Sequence, residues 1–117
     1  MDALADFRRY FAELPVIAII RGVRPEEVES IGAALVESGI RIIEVPLNSP
    51  DPLDSIGRLA RRFGDEALIG AGTVLQADDI ARVASVGGRI VVSPGFDKDV
   101  VAATIAQGLV SAPGYFT

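Results

Sequence analysis

The sequence predicts an α/β fold: a parallel sheet with helices outside it, belonging to an eight-stranded (β/α)8 barrel of which this chain supplies about five strands and four helices plus an N-terminal helix. Three observations lead there. Short apolar runs rich in Val and Ile alternate with amphipathic segments, the pattern of buried parallel strands joined by helices. Each run is bounded by Gly, Pro or a charge, as strands are. The strand–helix units are short and even, and no complete dinucleotide fingerprint marks an open doubly wound sheet, the competing architecture.

The elements follow in order. Leu4, Phe7, Phe11 and Leu14 form one apolar stripe, which predicts a helix packed beneath the sheet. Strands are predicted over 16–21, 40–47, 67–73, 89–94 and 109–113. The first connecting helix opens with Pro25, Glu26 and Glu27, where acids suit the positive end of the helix dipole. It buries Val28, Ile31 and Leu35 and ends at Gly39. The second begins near Pro50 to Pro52, buries Leu53, Ile56, Leu59 and Phe63, and stops at Gly64. A third runs from about Ala77 to Val86, ahead of Gly87 and Gly88. A fourth starts at Asp97 and carries Val100, Val101, Thr104 and Ile105 before Gly108. No linker or low-complexity segment interrupts the series, so residues 1–117 read as a single domain. A complete TIM-type barrel needs roughly 200 residues or more. The chain is therefore expected to form the N-terminal half to two-thirds of one.

Composition narrows the chemistry. Half of the 117 residues are apolar and 23% are charged, an ordinary globular balance. A net charge of −5 argues against nucleic acid and against an anionic membrane surface as partners, because both need clustered Lys and Arg. Cysteine is absent, which excludes disulfides and thiolate sites and makes a cytoplasmic protein the default. The segment from Met1 to Arg9 lacks the apolar core of a secretory signal. The longest apolar run, 16–20, is far shorter than a bilayer span. Histidine is also absent, so a general base must be a carboxylate, the single lysine or something weaker.

Glu44 is the most informative residue. It interrupts Ile40-Arg41-Ile42-Ile43-Glu44-Val45-Pro46-Leu47, where a strand covered on both faces should be almost wholly apolar. An unpaired buried carboxylate costs several kcal/mol, roughly, unless it is paired or protonated. Desolvation raises its pKa toward the value a general acid/base needs at neutral pH. The competing reading is a structural ion pair, for example with Arg21. Arg21 itself ends the first strand, at the rim where barrel active sites lie, and suits a substrate carboxylate or phosphate; otherwise it is a surface arginine. Gly70-Ala71-Gly72-Thr73 ends the third strand, with glycines that permit close approach and a Thr73 hydroxyl at the rim. Ser93-Pro94-Gly95 and Ala112-Pro113-Gly114 are ordinary turn chemistry. Lys98 lies between Asp97 and Asp99 at a helix start, flanked by acids and solvated, which argues against a Schiff-base role. No metal site is expected, since carboxylates do not recur at ligand spacing.

Four blocks occur in order along the chain: Ile17-Ala18-Ile19-Ile20-Arg21-Gly22, Ile43-Glu44-Val45-Pro46-Leu47-Asn48-Ser49-Pro50, Gly70-Ala71-Gly72-Thr73-Val74-Leu75 and Ser93-Pro94-Gly95. Together they resemble the 2-keto-3-deoxy-6-phosphogluconate and -galactonate aldolase family. Pro46-Leu47-Asn48-Ser49-Pro50 resembles the phosphogalactonate branch; the phosphogluconate branch usually has threonine and arginine at the places of Pro46 and Asn48.

The resemblance implies a trimeric (β/α)8 barrel and a class I aldolase needing no metal or other cofactor. Its substrate would be a phosphorylated keto-deoxy sugar acid, cleaved to pyruvate and glyceraldehyde 3-phosphate through a lysine Schiff base. It gives Glu44 the proton-shuttle role and places Arg21 and Thr73 in contact with substrate near the pyruvate moiety. In the family the lysine lies on the sixth strand and the phosphate is held by loops after the seventh and eighth. The chain reaches Tyr115-Phe116-Thr117 at the close of its fifth strand, and Lys98 does not align with that lysine. The expectation is the proton-shuttle half of an aldolase site, inactive alone. Two other readings stand beside it: a non-catalytic half-barrel that self-associates through its open strand edges, and a different enzyme on an open α/β sheet.

Overall fold

The computed structural model describes residues 2–115. Helix α1 (Ala3–Glu13) precedes β1 (Ala18–Ile19), and four strand–helix alternations follow: α2 (Pro25–Glu37), β2 (Ile42–Pro46), α3 (Pro52–Phe63), β3 (Leu68–Gly72), α4 (Asp78–Ser85), β4 (Ile90–Ser93), α5 (Lys98–Ala106) and β5 (Val110–Pro113). All strand pairs are parallel, and the order in the sheet is β1-β2-β3-β4-β5. This order decides between the two architectures. A doubly wound sheet reverses its order at a switch point, whereas sequential order keeps successive crossovers on one side, as a barrel requires.

The two faces of the sheet are covered differently. Ile43, Val45, Ile69, Ala71 and Val91 pack with Val28, Ile56, Leu59, Phe63, Ile80, Val83 and Val100 of the connecting helices. Residues of opposite parity, Ile42, Leu68, Ile90 and Val110, pack with Ala3 and Tyr10 of α1. Thus α2 to α5 form the outer layer, and α1 plugs the start of the inner face. Every residue of β2 and β3 is buried, which explains why these runs read as continuous apolar strands.

Each predicted strand is present, trimmed by one to several residues at its ends. The first is cut most, to Ala18–Ile19, because it pairs only with β2 among the described residues and breaks into a turn at Arg21 and Gly22. The predicted helices also form. Asp2 caps α1 by accepting hydrogen bonds from the Leu4 and Ala5 amides, and Asp97 caps α5 through Asp99 and Val100. At the start of α2, the Glu27 carboxylate accepts the Arg24 amide at 2.9 Å, which holds its pKa below the ordinary value.

The face of α1 departs from the expected stripe. Leu4 and Phe11 are exposed, and the buried positions are Ala3, Asp6 and Tyr10, with Phe7 partly covered. The reason is polar: Asp6 turns inward to meet Arg89, with Nη2 2.8 Å from Oδ2, and this rotates the helix away from its most apolar side. On α5, Val100 and Thr104 are buried as expected but Ile105 is exposed. The Thr104 hydroxyl donates to the Val100 carbonyl at 2.7 Å, so this polar side chain is satisfied within its own helix. The closing Tyr115-Phe116-Thr117 segment passes outside the described residues after Tyr115.

Candidate active site

Strand register brings the singled-out residues to one place. Ile19 pairs with Glu44, Glu44 with Gly70, and Pro46 with Gly72. Glu44 therefore shares the inner face with Gly70 and Gly72, opposite the helices. Only 2% of Glu44 is exposed, and its Oε2 is a buried oxygen without a hydrogen-bond partner. Burial pushes its pKa up to about 7, against an opposing pull from the Arg21 charge. A carboxyl with this pKa changes protonation near neutral pH without large cost in either direction.

The space for this carboxyl comes from β3. A Cβ at Gly72 would run into both carboxylate oxygens and the Cδ of Glu44. The second glycine of Gly70-Ala71-Gly72 therefore makes room for an acid two strand positions away on the neighbouring strand. What approaches it closely is a side chain of the same protein.

Arg21 forms the second part of the site. Its Nη1 donates to Asn48 Oδ1 at 2.7 Å, and its Nη2 donates to Thr73 Oγ1 at 3.3 Å. These contacts join the ends of β1, β2 and β3. A further link braces them: the Gly22 amide donates to Ser49 Oγ at 3.0 Å, and the Ser49 amide donates to the Pro46 carbonyl. Gly22 has φ +81°, a left-handed conformation that suits a residue without Cβ. Thr73 also has positive φ, 52°, where a β-branched residue is strained. Strain of this kind persists only when the surroundings enforce it, and it collects at functional sites.

Glu44, Arg21 and Thr73 thus converge at the C-terminal ends of adjacent strands. The alternative of a Glu44–Arg21 ion pair is absent from the geometry: among the described residues, no ion pair within 4.0 Å joins them. Arg21 is turned to neutral oxygens instead. Lys98 is the exposed first residue of α5 and takes no part in this cluster. Asn48 and Ser49 were not singled out for the site by local sequence. Besides their place in the block that resembles the phosphogalactonate branch, their signal was two hydrogen-bonding side chains in a proline-flanked turn after the Glu44 strand.

A family model described as KDPG and KHG aldolase matches residues 8–117. The chain belongs to the KDPG and KHG aldolase family. It is 48% identical over 105 residues to a probable 2-dehydro-3-deoxy-6-phosphogalactonate aldolase of Rhizobium meliloti, an alignment covering 90% of this chain and 50% of the relative. It is 37% identical to the 2-dehydro-3-deoxy-6-phosphogalactonate aldolase of Escherichia coli K12, covering 90% of this chain and 51% of that protein. The chain spans about half the length of the curated relatives it matches. A solved KDPG aldolase from Legionella pneumophila, with pyruvate captured as a covalent carbinolamine, superposes with a TM-score of 0.80 at 33% identity, over 90% of this chain and 50% of that one. The sequential parallel sheet is accordingly part of the barrel of this aldolase family. The described residues supply five of its strands.

Proposed function

We propose that these residues form the acid–base half of a class I aldolase site, and that the complete site cleaves 2-dehydro-3-deoxy-6-phosphogalactonate to pyruvate and glyceraldehyde 3-phosphate. The observation that carries this reading is the Glu44 carboxyl: buried, without a hydrogen-bond partner at Oε2, poised near neutrality and placed beside a guanidinium at a strand's C-terminal end. Its protonated form delivers a proton to the carbinolamine hydroxyl, which leaves as water when the imine forms. Its carboxylate form accepts the C4 hydroxyl proton as the C3–C4 bond breaks. Arg21 pairs with the substrate carboxylate through the N–H groups not engaged by Asn48 and Thr73. Thr73 lies against the same group.

The nucleophilic lysine in this reading lies beyond Thr117, on the sixth strand of the barrel, and the phosphate clamp lies further on, in the loops after the seventh and eighth strands. The covalent carbinolamine of the Legionella relative supports the Schiff-base chemistry. The two phosphogalactonate aldolases at 48% and 37% identity support the substrate. The phosphogluconate epimer is the other substrate within the family, and comparing turnover of the two C4 epimers separates them. By the same resemblance the assembly is a homotrimer and residues 1–117 are the N-terminal half to two-thirds of one barrel domain; the cysteine-free composition supports a cytoplasmic location.

The test is borohydride trapping with pyruvate. Protein extended through the next strand–helix unit should yield one adduct, on a lysine after residue 117, while the 117-residue chain yields none at Lys98. In the complete barrel Glu44→Gln should lower kcat by about 10²–10⁴-fold. A specific adduct at Lys98, or full activity in Glu44→Gln, would overturn the proposal. A non-catalytic reading draws on the two edges of the sheet, since β1 and β5 each have one strand partner among the described residues. It requires an extended protein that traps no pyruvate.

A further inference from the structure

The carboxyl of Glu44 and the guanidinium of Arg21 are opposite charges at the C-terminal ends of adjacent strands that do not pair. Arg21 lies two residues beyond Ile19, the register partner of Glu44, in the turn that follows β1, a span of at most about 7 Å of chain. An arginine side chain crosses such a distance easily, and an ion pair with a buried carboxylate is the usual outcome. Here the guanidinium instead donates at 2.7 Å to the Asn48 amide oxygen, and at 3.3 Å to the Thr73 hydroxyl.

We propose that Asn48 is a positioning residue that holds Arg21 at the rim, away from Glu44, so that the two charges stay separate until an anionic ligand arrives. The proposal rests on the aldolase reading for its purpose, though not for its geometry. The shorter contact is the one to Asn48, and it is the one fixed independently. Its loop is anchored by the Ser49 amide on the Pro46 carbonyl and by the Gly22 amide on Ser49 Oγ. The second bond lies directly beside Arg21, so loop and arginine keep a constant spacing. Asn48 is itself exposed and carries no core packing, which leaves this tether as its structural contribution.

Separation serves both partners. Arg21 keeps free N–H donors for a carboxylate or phosphate ligand, and Glu44 keeps access to its neutral form. Arg21 is the one charge that pulls on Glu44, and burial outweighs it. The neighbouring strands offer Gly70, Gly72, Ile90 and Val92 on this face, none of them charged. On α1, which packs on the same face, Asp6 is paired with Arg89 and Arg9, Glu13 lies 4.0 Å from Arg41, and the buried Tyr10 hydroxyl accepts from Arg9; Arg41 and Arg89 directly precede β2 and β4, at the opposite end of the strands.

The experiment is a carboxyl ¹³C NMR titration of Glu44 in the full 117-residue chain, which needs no substrate. In Asn48→Ala, Arg21 is released toward Glu44, and the midpoint should fall by one unit or more, the order expected for an arginine beside a carboxylate. In Asn48→Asp, which keeps an oxygen acceptor, the midpoint should stay at or above the starting value. Adding Arg21→Gln to Asn48→Ala should abolish the fall. An unchanged midpoint in Asn48→Ala, or an equal fall when Arg21 is also replaced, would overturn the proposal. Because no turnover is measured, a failed tether is distinguishable from a failed aldolase reading, which the trapping experiment addresses separately.

Discussion

The Glu44 carboxyl occupies the space that a side chain at position 72 would fill. Gly72 is two register positions further along β3 than Gly70, the direct partner of Glu44, so the acid leans along its strand toward the rim. Gly72→Ala should therefore act through Glu44. We expect a loss of about 2 kcal/mol from overpacking, measured by urea unfolding. In a Glu44→Ala background, which empties the space, the same change should cost well under half as much, a coupling of the kind neighbouring residues show. Equal costs in the two backgrounds would show that the carboxyl is not the obstacle.

A raised carboxyl pKa has a definite consequence for stability against pH. Glu44 moves from 4.5 to about 7 on folding, so between these values the folded chain binds a proton that the unfolded chain has lost. Stability contributed by the neutral carboxyl is complete below about pH 4.5 and is lost as pH rises through 7. The size is about 3 kcal/mol, from the shift alone. Glu44→Gln should flatten the decline between pH 5 and 8 and be more stable than the parent at pH 8. Urea titrations at intervals across that range check both points, and an unchanged slope in Glu44→Gln would assign the decline to other groups.

These two predictions show what was legible in the sequence. Glu44 stood out because one carboxylate interrupted an apolar strand, a local signal. The sequential sheet was legible for a similar reason: β2 and β3 are buried on both faces, and Gly and Pro punctuate the helices between them. The partner relationships were not legible. Gly70-Ala71-Gly72 signalled a close approach without saying by what, because the answer depends on the register of β2 against β3. Asn48 entered only as part of the Pro46–Pro50 block that resembles the phosphogalactonate branch, because its contact to Arg21 spans 27 residues. The face of α1 was misread for the same reason. The sequence shows Leu4, Phe7 and Phe11 on one stripe, whereas the buried Asp6 is explained only by an arginine 83 positions away.

That pair supports a third prediction. Asp6 and Arg89 have side chains 13% and 19% exposed, and Asp6 also lies 3.2 Å from Arg9. Asp6→Ala leaves a largely buried guanidinium without its counter-charge and should cost about 3 kcal/mol. Arg89→Met should cost less, because Arg9 still faces Asp6. Replacing both, as Asp6→Leu with Arg89→Met, should recover most of the loss by substituting apolar packing beneath the sheet. Chemical denaturation of the three variants tests the order. A double variant as unstable as Asp6→Ala would mean that the pair fixes the docking of α1 and not merely its charge balance.

Thr73 joins strain to the site. Its φ of 52° is costly for a β-branched residue, and its hydroxyl is the weaker of the two Arg21 acceptors at 3.3 Å. Thr73→Gly removes the strain and the acceptor together. It should raise stability by about 1 kcal/mol, the lower end of what such backbone conformations cost. Thr73→Ser keeps the hydroxyl and relieves part of the crowding at Cβ, so it should gain less while leaving Arg21 in place. The two variants separate backbone cost from side-chain purpose. Urea midpoints report the first, and the ¹⁵N chemical shifts of the Arg21 guanidinium report the second. A Thr73→Gly variant less stable than the parent would show that the hydroxyl contact outweighs the strain.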